Sequence, residues 1–153
     1  MNKGFTLIEV LVYISLFLII IGGCLFVVFQ IIESSGKLTN KSIIQQEGNF
    51  LLRKIDWALT GANTVSISGG NHLTITKFSG AMIEFQLNGT NIEIKDGGSF
   101  VVLNNSNLKV TATTLFQKIS VTGKPDAIQT KFNLATLDGL SSQDFVNIKY
   151  LRK

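Results

Sequence analysis

The chain has 153 residues, 45 % of them hydrophobic, and a formal net charge of +4 carried by singly scattered lysines and arginines. That length allows one folded domain of ordinary size beside a membrane segment, and the scattered charge leaves no electrostatic footprint for a nucleic acid. A single cysteine excludes an intramolecular disulfide, so the folded part is held by packing alone.

From Val10 to Ile32 no residue is charged and almost every one is apolar. That is about the 20 residues a helix needs to cross the hydrocarbon core of a bilayer. Glu9 is the only charge between Lys3 and Glu33. A carboxylate at the edge of such a span costs roughly 2.5–3.5 kcal/mol on insertion scales. Glu9 is therefore expected to have a cationic partner or to mark a functional site; the alternative is a carboxylate that reaches back to headgroup water. Cys24, inside the span, reads as an inert small hydrophobe. The apolar run exceeds the about 7–15 residues of a cleavable secretory signal, and Gly22-Gly23 is its only small-residue pair. Under the positive-inside rule Lys3 stays cytoplasmic. These features alone leave an uncleaved signal anchor open.

The run Lys3-Gly4-Phe5-Thr6-Leu7-Ile8-Glu9-Val10 resembles the N-terminal signature of type IV prepilins and type II secretion pseudopilins. The resemblance implies a leader, residues 1–4, cut between Gly4 and Phe5 by a prepilin peptidase that also methylates Phe5. It makes Phe5 and Glu9 the assembly residues, with Glu9 meeting the new terminal ammonium of a neighbouring subunit. Two unit charges about 4 Å apart attract strongly at low dielectric, but desolvation offsets much of that, so the pair fixes register more than stability. A glycine before the scissile bond also leaves an extended backbone unobstructed in a protease cleft.

Past the span, Glu33-Ser34-Ser35-Gly36 is the expected membrane exit, with loosening at Gly36 and local flexibility at Gly22-Gly23. Ile44, Leu51, Ile55 and Leu59 then form one apolar stripe on a polar segment, predicting an amphipathic helix within residues 33–62 that packs on the protein's own sheet. From about residue 63 the period becomes two. Strands are predicted at Val65–Ile67, Leu73–Phe78, Met82–Leu87, Ile92–Lys95, Phe100–Leu103, Leu108–Thr111, Phe116–Val121, Thr130–Leu137 and Phe145–Tyr150. Asn88-Gly89 is read as a two-residue hairpin turn with both residues at positive φ. Gly123-Lys124-Pro125-Asp126 is read as a further turn. The fold class is α+β: a long N-terminal helix, half transmembrane and half amphipathic, packed on an antiparallel meander in residues 63–153. This layout looks like the pilin architecture, and the strand order with LNNSNLKVTATTLFQKIS is similar to J-type minor pseudopilins. The chain lacks the C-terminal cysteine pair of many major pilins and the acidic calcium loop of major pseudopilins.

Catalytic, cofactor and metal sites are not expected. His72 is the only histidine and sits in a Gly-Gly-Asn-His turn with no cysteine or acidic cluster beside it in sequence. No nucleophile motif stands out. The leading function is a minor pilin or pseudopilin, assembled through its N-terminal helix into a pilus or pseudopilus, at initiation or near the tip. The resemblance implies a single-pass protein of the inner membrane with an extracytoplasmic C-terminal domain. Its partners would be the peptidase/methyltransferase, other pilins or pseudopilins, and an inner-membrane assembly platform. Two alternatives stand beside it: a tip binding module using the loops Ser68–Asn71 and Asn104–Asn107, and an uncleaved signal-anchored β domain.

Overall fold

The computed structural model describes residues 6–120, 122–123 and 125–151. Val121 and Lys124, expected in a strand end and a turn, lie outside the described residues. One helix, α1 (Leu7–Leu59), precedes nine strands. These are β1 (Ala62–Ser68), β2 (His72–Lys77), β3 (Met82–Asn88), β4 (Asn91–Asp96), β5 (Val101–Val102), β6 (Leu108–Thr111), β7 (Phe116–Ile119), β8 (Ala127–Thr136) and β9 (Ser142–Tyr150). The chain divides into two compact units, Met1–Thr39 and Asn40–Lys153.

In the first unit every described side chain from Thr6 to Thr39 is exposed. The helix is long and apolar enough to cross a membrane, and it stays helical through Gly22, Gly23 and Gly36. The glycines expected to loosen the helix do not break it. Each glycine costs a helix only about 1 kcal/mol relative to alanine, and no proline interrupts the ladder of backbone bonds. Lys37 pairs with Glu33 one turn earlier, at 2.7 Å, across Gly36.

In the second unit the stripe Ile44, Leu51, Ile55 and Leu59 is buried, together with Gly48 and Ala58. Against it lie alternate residues of both sheets, among them Leu73, Ile75, Phe85, Ile92, Val110 and Phe132. At Gly48 a strand side chain comes very close. An ideal Cβ on Gly48 would stand 2.1 Å from Cζ of Phe145, whose ring stacks on Phe132 at 5.4 Å. Thus β9 approaches the helix through the gap left by a missing side chain. Asn147 of β9 also donates to Asp56 Oδ1 at 2.7 Å.

The strands form two antiparallel sheets rather than one meander. The first is β1-β2-β3-β4-β5 in chain order. In the second, β8 is central: β6 and β7 pair end to end along one side of it and β9 along the other. The switch is made by Asn104, which is 5 % exposed. Its Oδ1 accepts from Ile92 N at 2.8 Å, while its Nδ2 donates to Asn91 Oδ1 and to the Leu108 carbonyl, each at 3.2 Å. A buried side chain thereby satisfies the backbone where the chain leaves one sheet for the other. The β3–β4 hairpin also differs from expectation. Asn88 pairs with Asn91, so the turn residues are Gly89 and Thr90. Only Gly89, at φ +61°, lies in the left-handed region, the pattern of a type II′ turn. Thr90 is β-branched and strongly disfavours positive φ, so with Thr90 in the second turn position the turn is II′ rather than the expected I′.

Candidate functional site

The candidate site is the start of α1. Thr6 is the N-cap residue and Glu9 the third residue of the first turn. Thr6 N donates to Glu9 Oε2 at 3.1 Å, Thr6 Oγ1 donates to the same oxygen at 3.0 Å, and Glu9 N lies 3.4 Å from Thr6 Oγ1. This is the reciprocal capping box, in which two of the orphan donors of a helix start are satisfied by the two side chains. The carboxylate also faces the positive end of the helix dipole. Within its own chain Glu9 thus meets the neutral donors of Thr6; the expected cationic partner is the terminal ammonium of a neighbouring subunit. The expectation overlooked Thr6, although the Thr-x-x-Glu spacing is the recognised sequence sign of such a cap. Among the described residues Glu9 Oε1 accepts no hydrogen bond. Gly4 and Phe5, the expected cleavage and methylation positions, lie outside the described residues.

The other sequence candidates are spent on the fold. His72 begins β2, with Nε2 3.1 Å from Glu84 Oε2, while Lys95 Nζ donates to Glu84 Oε1 at 2.7 Å. The Lys95 hydrogen bond is the main cause holding the Glu84 carboxyl below the ordinary carboxylate value; burial opposes it and His72 adds to it. No group of three or more histidine, cysteine or acidic side chains suited to a metal occurs among the described residues. In the two expected contact loops Ser68, Gly69 and 105–107 are exposed, whereas one asparagine of each is tied into the fold. Asn104 is buried as described, and Asn71 Oδ1 accepts from Leu115 N at 3.1 Å. The Gly70 carbonyl accepts from Phe116 N at 2.8 Å.

Lys77 closes the far end of α1. Its Nζ donates to the carbonyls of Thr60 and, at 3.3 Å, of Trp57. The last turn of the helix carries no basic residue of its own, so a cation from β2 meets the negative end of the dipole.

Residues 1–25 match the family model of the prokaryotic N-terminal methylation motif. Comparison with curated proteins and with solved structures found no match. The motif leads into a membrane-capable apolar helix followed by antiparallel sheets, a layout similar to that of type IV pilins and pseudopilins.

Proposed function

We propose that the chain is a minor pilin or pseudopilin, a structural subunit that enters a filament from the inner membrane. Residues 1–4 are the leader, removed between Gly4 and Phe5 by a prepilin peptidase, and Phe5 is then N-methylated. Residues 5–32 anchor and later assemble, 33–62 extend the helix, and 63–153 form the extracytoplasmic body. The observation that carries this reading is a methylation motif over residues 1–25 together with an apolar first part of α1 in which every described side chain from Thr6 to Thr39 is exposed. Such a surface needs lipid or other helices around it, at about 1.5–3 kcal/mol per large apolar side chain transferred from water. Glu9 is the assembly residue. Its Oε2 is held by Thr6 while, among the described residues, Oε1 accepts no hydrogen bond, which suits it to receive the terminal ammonium of a neighbouring subunit without first uncapping its own helix. The absence of a C-terminal cysteine pair favours a minor position, at initiation or near the tip.

Mass spectrometry of the N-terminus, with and without a prepilin peptidase, is expected to show loss of Met1–Gly4 and one methyl group on Phe5 only when the enzyme is present. An intact Met1 in the native host overturns the proposal and leaves a signal-anchored domain. In the same preparations Glu9→Val is expected to keep membrane insertion and to lower crosslinking to neighbouring subunits severalfold. Wild-type crosslinking would refute the pairing.

A further inference from the structure

The outer face of the second sheet carries a cleft of about 610 Å³, within the roughly 300–1,000 Å³ of small-ligand sites. It exists because the ladder beside β8 is interrupted. β6 ends its pairing at Thr111 with Asn133, and β7 begins at Phe116 with Thr130. Between them Ala112–Leu115 leaves the ladder, and only Leu115 returns a bond, its carbonyl accepting from Lys131 N at 2.9 Å.

The rim of this cleft is fixed from the other sheet. Asn71 Oδ1 holds Leu115 N, and the Gly70 carbonyl holds Phe116 N. Gly70, at φ +73°, lies so close that an ideal Cβ would come 2.9 Å from Thr114 Cγ2. The β1–β2 loop is therefore a brace for the cleft wall.

The side chains lining the cleft are unspent. Thr111, Thr113, Thr114, Gln117, Gln129 and Lys131 all line it, and none makes a side-chain hydrogen bond among the described residues. The outer face of the first sheet is the contrast, because there polar side chains satisfy each other. Glu84 is shared by Lys95 and His72, and Glu93 accepts from Gln86 at 2.7 Å and Asn88 at 3.1 Å. Within the cleft lining of the second sheet, the side chains joined to one another among the described residues are Asn133 and Asp144, at 2.9 Å; Lys118 of β7 pairs outside the cleft with Asp126, also at 2.9 Å.

Hydroxyls and carboxamides both donate and accept, and the one cation and one carboxylate of the lining cancel. That chemistry matches a ligand whose own groups donate and accept without net charge. Beside the cleft, Val146 and Ile148 stand opposite Lys131 and Gln129 on the same exposed face, an apolar ledge for the C–H face of a sugar ring. We propose that this cleft binds a neutral oligosaccharide. The site stands on the second unit alone and does not depend on the filament reading.

The test uses the full chain in lauryldimethylamine oxide, a detergent without a sugar headgroup, against neutral and acidic oligosaccharides of two to four residues and a short oligonucleotide. Binding is read by amide chemical shifts. Neutral oligosaccharides are expected to bind at micromolar to millimolar concentration and to shift the amides of Gln117, Gln129 and Asn133. The double variant Gln117→Ala/Gln129→Ala is expected to lose about tenfold or more in affinity at an unchanged melting temperature. Thr74→Ala, on the outer face of the first sheet, is expected to bind as the parent does. The proposal is overturned if no neutral oligosaccharide shifts these residues, if only the acidic sugars or the oligonucleotide do, or if the double variant binds normally.

Discussion

Glu84 and Glu9 show how one residue type takes two roles according to its neighbours. Glu84 is 15 % exposed by side chain and shared between Lys95 and His72, so its carboxylate is tied into the first sheet. Its folded pKa lies below the ordinary value of 4.5, chiefly through the Lys95 hydrogen bond. A depressed carboxylate pKa gives stability that is present above the unfolded value and lost as pH falls through the folded one. Denaturant midpoints measured from neutral pH downward should therefore decline below about pH 4.5, and Glu84→Gln should flatten that decline while lowering the neutral-pH midpoint. An unchanged acid slope in Glu84→Gln would refute the assignment. Glu9 was conspicuous in the sequence because it is a lone charge beside an apolar run. Glu84 was not, since its partners lie 11 and 12 residues away and meet it only through strand register.

The element scale is governed by how close α1 and β9 come. Gly48 leaves the space that the Phe145 ring occupies, and Phe145 cannot retreat freely because it stacks on Phe132. Gly48→Ala gains up to about 1 kcal/mol in helix propensity but overpacks a filled core, which costs about 1–3 kcal/mol. Thermal denaturation is expected to show a net loss, and pairing Gly48→Ala with Phe145→Leu should recover part of it. A Gly48→Ala chain more stable than the parent would mean the helix and β9 are not held this closely. The apolar stripe of α1 was readable because it recurs with helical period. Gly48 was not, for a missing side chain looks the same in sequence whether it faces water or a phenyl ring.

For the whole molecule the division between Thr39 and Asn40 coincides with a change in burial. Every described member of the buried core lies at Ile44 or beyond, whereas every described side chain of the first unit is exposed. A chain beginning at Asn40 is accordingly expected to fold cooperatively in water without detergent, while the full chain requires detergent or lipid. Circular dichroism melts decide it: a broad, non-cooperative transition in the shorter chain would show that its core needs the N-terminal segment. The methylation motif and the apolar N-terminal helix fit a membrane-anchored chain with a C-terminal globular body.

What the sequence determined by itself is local and periodic: the apolar span, the helical stripe, the alternating strands and the octamer around Gly4, Phe5 and Glu9. Each depends on residues near one another in the chain, so spacing alone exposes them. The tertiary structure decided the split into two sheets through buried Asn104, the one-residue shift of the turn at Gly89, and the gap opposite Lys131 and Phe132 that forms the cleft. Those features arise from pairings between distant segments, where a single side chain satisfies backbone groups of another strand, and no local pattern encodes which strands will meet.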